Sequence, residues 1–93
     1  MFVHLAVHHP RPERAADLLA SMGRVEEAAQ GSPGLIQIGA WQDQRSGRVV
    51  GLAMWESQEA FAASAERILQ AVADDPFDQW LGQPPDVFHL TRP

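Results

Sequence analysis

The chain has 93 residues, a formal charge of -5, 45% hydrophobic residues and no cysteine. That length predicts one domain over residues 1–93, which buries only roughly 60–65% of its unfolded surface and so gains from a partner chain. The missing cysteine excludes disulfides, thiolate metal sites and a cysteine nucleophile, and the negative charge argues against nucleic acid.

Phe2 to His9 alternates and is bounded by Pro10 and Pro12. This predicts a strand with Val3, Leu5 and Val7 on one face and Phe2, His4, Ala6 and His8 on the other. Pro12 suits the first turn of a helix, and Glu13 places negative charge at its positive end. The helix is predicted from Pro12 to Gln30, with Ala15, Leu18, Leu19, Met22, Val25 and Ala29 as its buried stripe. Gly31 suits the C-terminal cap, and Ser32-Pro33-Gly34 turns the chain.

Leu35 to Gln42 reads as a second strand, Asp43 to Gly47 as a hairpin loop and Arg48 to Trp55 as a third strand. Ser57 is a good N-cap for a second helix that carries Phe61, Ala65, Ile68, Leu69 and Val72 on one face. Asp74-Asp75-Pro76 ends it, because proline cannot continue the ladder. Phe77, Trp80 and Leu81 suit one short turn closed by Gly82. A last strand is predicted from Asp86 to Arg92.

The order β-α-β-β-α-β predicts an α+β, ferredoxin-like fold with a four-stranded antiparallel sheet covered by helices on one face. The other face is expected to carry Phe2, Leu35 and Trp41, which is too apolar for open water. A second copy of the sheet is the expected cover, through a two-fold contact.

Some classes drop out by absence. The chain has no lysine, which excludes Schiff-base chemistry, and no tyrosine or asparagine. No run approaches the ~18–20 apolar residues of a membrane span. The apolar start at Met1, without a positively charged leader region, predicts a cytoplasmic protein.

The stretch Leu52-Ala53-Met54-Trp55-Glu56-Ser57-Gln58-Glu59-Ala60-Phe61 resembles the antibiotic biosynthesis monooxygenase family: a strand ending Trp-Glu-Ser, then a helix opening Glu-Ala-Phe. The turn Ser32-Pro33-Gly34-Leu35 fits as well. The resemblance implies a dimeric α/β barrel. It also implies a small apolar or aromatic ligand, with oxidation of a quinol or phenol that uses no metal or flavin. In that chemistry the substrate anion itself reduces oxygen, so no cofactor is expected. The haem-degrading members use an Asn–Trp–His triad; here there is no asparagine, and Ser64 and Asp74 fall near the other two positions. The competing reading is a non-catalytic dimeric module, either ligand-binding or structural.

Trp55, Phe61, Trp80 and Arg67 are the pocket candidates: three aromatic rings able to wall an aromatic ligand and one cation able to meet an anionic one. His4, His8, His89 and Trp41 are candidates for the dimer face. The three histidines are expected on the side away from the helices, with His4 and His89 as cross-strand neighbours. His4 and His8 stand four strand positions apart, roughly 13 Å, too far for one metal, and no metal site is expected. His9 is expected at the strand end, facing solvent. Ser57 is a cap rather than a nucleophile, since no Gly-x-Ser-x-Gly elbow is present.

Overall fold

In a computed structural model describing Met1–Pro93, the elements follow the predicted order. They are β1 (Phe2–Pro10), a single 3-10 turn (Pro12–Arg14), α1 (Ala15–Ala29), β2 (Leu35–Gln42), β3 (Val49–Trp55), α2 (Gln58–Gln70), α3 (Phe77–Trp80) and β4 (Leu81–Thr91). The four strands form one antiparallel sheet in the order β2-β3-β1-β4. This is the α+β, ferredoxin-like arrangement expected from the sequence.

The local signals operate as read. Pro12 opens the turn that leads into α1, with Glu13 behind it. Ser57 caps α2 by accepting a hydrogen bond from the Ala60 amide. Gly31 and Gly47 adopt left-handed φ angles of 77° and 78°, at the end of α1 and in the β2–β3 hairpin.

Register decides which side chains share a face. Phe2, His4, Ala6 and His8 stand opposite Trp55, Ala53, Gly51 and Val49. Phe2, Ala53 and Trp55 form a core cluster with Ala29 of α1 and Ile68 of α2. Val49 packs with Leu18 and Trp80 in a second cluster. The helices therefore cover the Phe2/His4/Ala6/His8 face. The expected placement of His4, His8 and His89 away from the helices is corrected, as is that of Phe2 and Leu35 on the uncovered side. The physical reason is that both faces of β1 are apolar. Packing Phe2 and Trp55 under the helices removes more apolar surface from water than packing three aliphatic side chains there.

The uncovered face carries Val3, Leu5 and Val7 in register with Met54, Leu52 and Val50 of β3 and with Leu90 and Phe88 of β4. Trp41 does lie on this side, 52% exposed and opposite Val50. Its indole covers Gly39, where a Cβ would stand 2.7 Å from the ring.

The last strand begins five residues earlier than predicted, at Leu81, and runs through Pro84-Pro85. It is an edge strand, where proline is tolerated. The β1–β4 register slips beside His8 and His9, opposite those prolines, which have no amide to donate. Leu69 is not part of the buried stripe of α2; it is 60% exposed, and Ser64 is buried instead.

Candidate functional site

The sheet holds a row of small side chains. Ala40, Gly51, Ala6 and Val87 stand side by side across β2, β3, β1 and β4, on the face beneath the helices. Side chains this short leave a hollow that the helices do not fill. The result is a cavity of about 360 Å³ with this row as its floor. Met22 and Val25 of α1, Leu69 of α2 and Val72 and Phe77 just beyond it form the roof. A cavity of about 360 Å³ falls within the size range of small-molecule sites.

His4 and His8 flank the floor on either side of Ala6, and both border the cavity. Glu26 of α1 is the other titratable group on its wall, and no arginine reaches it. The His4 ring stacks on Phe61, with centroids 5.1 Å apart and planes 18° from parallel. Across the β1–β4 pair it meets His89, with centroids 5.2 Å apart. Burial, and secondarily the nearby His89, holds the His4 pKa below the usual 6.5. Burial does the same for His8, with smaller contributions from His9 and His4. Both rings are therefore neutral at neutral pH, in an otherwise apolar setting.

None of the four pocket candidates borders this cavity. Trp55 is 1% exposed and closes the core between the sheet and α2. Phe61 supports His4 from behind and also packs on Phe2 and His89. Trp80 packs with Leu18, Val49 and Phe77. Arg67 donates to the Ala28 carbonyl and to the Ser32 hydroxyl, tying α2 to the α1–β2 turn. His9 is not solvent-facing: its side chain is 15% exposed, and its Nε2 lies 2.9 Å from the Asp86 carboxylate.

The sequence reading missed the roles of Ala6, Gly51 and Ala40 as the floor and of His8 as a wall. Each of the three strands carries a small residue in its middle, but that the three stand side by side follows only from the register between strands, which the sequence does not mark. The segment after α2 is fastened to α1. Buried Ser21 of α1 donates to the Asp75 carboxylate at 2.7 Å, and Arg24 donates to the same oxygen. These bonds hold the Asp75 pKa below its usual value. No group of three or more histidines and carboxylates is placed to hold a metal ion. No helix is long and apolar enough to cross a membrane.

The fold and its cavity define a small ferredoxin-like domain with a ligand-sized space between sheet and helices. Residues 1–70 match the antibiotic biosynthesis monooxygenase family, and the chain belongs to it. It is similar in structure to Rv0793 of Mycobacterium tuberculosis, at 18% identity and TM-score 0.81, over 98% of this chain and 93% of that one. It is likewise similar to PA3566 of Pseudomonas aeruginosa, at 18% identity and TM-score 0.78, over 98% of this chain and 92% of that one. A structure described as an antibiotic biosynthesis monooxygenase matches at 18% identity and TM-score 0.80, over 99% of this chain and 98% of that one. At these identities the likeness concerns the fold. No curated protein matches the chain in sequence.

Proposed function

We propose that the chain is a cytoplasmic, homodimeric monooxygenase that takes an apolar or aromatic phenol or quinol into the cavity and oxidises it without a bound cofactor. The observation that carries this reading is the pair of neutral histidines on the wall of an apolar, ligand-sized space. The competing reading, a non-catalytic ligand-binding or structural module, expects few titratable groups facing the cavity. His4, His8 and Glu26 face it, which supports the enzymatic reading.

His4 is the proton acceptor in this account. It is unprotonated at neutral pH, and the exposed His89 ring lies beside it, with centroids 5.2 Å apart. The phenolate then reduces oxygen. One oxygen atom forms the new carbonyl at the position para to the phenol oxygen. The other leaves as water with the two hydrogens lost from that O–H and that C–H. The substrate supplies all four electrons, so no external reductant enters. The protonated His4 stays beside the anion it has formed, within a largely apolar lining.

The homodimer rests on the uncovered sheet face. Val3, Leu5, Val7, Leu52, Phe88 and Leu90 make a continuous apolar surface, with Phe88 46% and Leu90 43% exposed. A contiguous patch of this kind marks an interaction site, and a second copy of the sheet is complementary to it.

The test is oxygen uptake with 1-naphthol, without added metal or flavin. The reading expects one oxygen consumed per naphthoquinone formed, and a rate about a hundredfold lower in His4→Phe. No turnover, or one hydrogen peroxide released per oxygen consumed, contradicts it.

A further inference from the structure

The two histidines on the wall differ in one respect. The Nδ1 atom of His8 is sealed from solvent and has no hydrogen-bond partner, whereas neither nitrogen of His4 is trapped in this way. Val49, itself fully buried, stands opposite His8 on β3, and the β4 segment on its other side slips register at Pro84-Pro85. His8 still borders the cavity.

A sealed position without an acceptor is a poor place for a proton. Orphaned buried N–H groups are rare, under-satisfied acceptors somewhat less so, and the Trp55 indole N–H is already one such donor here. The imidazole thus keeps its proton on the other nitrogen, and gaining a second proton is opposed as well. That leaves the Nε2–H as a donor able to meet a ligand. The rest of the wall limits which ligand that is. It carries no cation to pair with an anion, and Glu26 already adds a carboxylate. An anionic ligand entering from water would lose hydration with no resident cation to offset it.

We propose that His8 donates its Nε2–H to the oxygen of an uncharged ligand, orienting the molecule and restricting the cavity to neutral aromatic compounds with one hydroxyl or carbonyl end. This rests on the ligand-cavity reading above and adds the residue that sets its selectivity. The cavity, at about 360 Å³, is more than twice the roughly 150 Å³ of an engineered cavity that takes benzene, so two fused rings fit.

The test measures binding of 2-naphthol, 2-naphthoate and 2-methylnaphthalene to the full chain by calorimetry, together with the nitrogen-15 shifts of the His8 ring. The proposal expects naphthol to bind at least tenfold more tightly than the other two. It expects His8→Phe to lose that advantage and His8→Gln, which keeps an N–H donor, to retain part of it. The shifts of the native protein should place the proton on Nε2, a readout that stands even where His8→Phe fails to fold. Naphthoate binding as tightly as naphthol overturns the proposal, as does a proton on Nδ1 or a naphthol affinity indifferent to His8→Phe. Binding of none of the three compounds overturns the ligand-cavity reading and the proposal with it.

Discussion

The imidazole of His4 lies nearly parallel to the ring of Phe61, with centroids 5.1 Å apart, so one side chain of the sheet and one of α2 meet face to face beneath the helices. The contact suits a neutral imidazole held among apolar groups, and it links the site to stability. Burial, helped by His89, keeps the folded-state pKa of His4 below its usual 6.5, and burial, helped by His9 and His4, does so for His8. The unfolded chain binds protons at these positions before the folded chain does. Stability therefore falls as pH drops below about 6.5 and is retained above it. Denaturant midpoints should be lower at about pH 5.5 than at about pH 7.5. An equal or higher midpoint in acid contradicts this. Asp43 and Asp75, whose pKa values are lowered chiefly by hydrogen bonds, act in a separate window: their contribution is lost as pH falls below the usual 3.8.

Trp55→Ala should destabilise the protein by ~3–5 kcal/mol, the range for truncating a buried aromatic. Trp55 is 1% exposed and packs with Phe2, Ala29 and Ile68 without bordering the cavity. Chemical denaturation measures the effect. A loss under about 0.5 kcal/mol, the scale of surface changes, would mean that the ring is not a structural wedge.

Two glycine substitutions should have opposite signs. Gly34 has φ 83°, and a Cβ there would stand 2.6 Å from the Ala60 Cβ, so Gly34→Ala meets both backbone strain and a clash. It should cost at least ~1–3 kcal/mol. Gly23 lies inside α1 with nothing within 4 Å of an added Cβ. Gly23→Ala should stabilise by ~0.5–1 kcal/mol. Thermal melts of both variants decide, and matching signs would contradict the local geometry.

The uncovered sheet face makes its own prediction. Light scattering at micromolar concentration should give twice the 10.2 kDa chain mass. Leu5→Arg, which places a charge at the centre of that face, should reduce it to the chain mass while the fold persists. A native chain that scatters as a monomer would remove the argument for a sheet-to-sheet dimer.

The element order was legible because its signals are local. The Ser57 cap and the alternation of the strands act within a few residues, whereas α2 ends at Gln70, short of the stop expected at Asp74-Asp75-Pro76, because the chain already turns at Ala71–Asp74. The facing of β1 was not legible. Phe2-Val3-His4-Leu5-Ala6-Val7-His8 alternates between two sets that are both apolar enough for a core, so period alone cannot choose. The choice is made by β3, whose Trp55, Ala53 and Val49 share a face with Phe2, His4 and His8. That is a matter of register between strands nearly fifty positions apart. The cavity escaped for the same reason, since a hollow above Ala6, Gly51 and Ala40 exists only once three strands are aligned. The early start of β4 escaped because Pro84-Pro85 reads as a break, and only its place at the sheet edge makes it tolerable.

The central claim is that the space above Ala6 and Gly51, between His4 and His8, is where this protein takes its ligand. Amide and imidazole chemical-shift mapping during titration with 2-naphthol tests it most directly. The account predicts saturable shifts at His4, Ala6, His8, Val72 and Phe77, with Trp41 and Leu5 on the far face of the sheet unmoved. Shifts confined to Trp41, Leu5 and their neighbours, or no saturable shift at all, would contradict it.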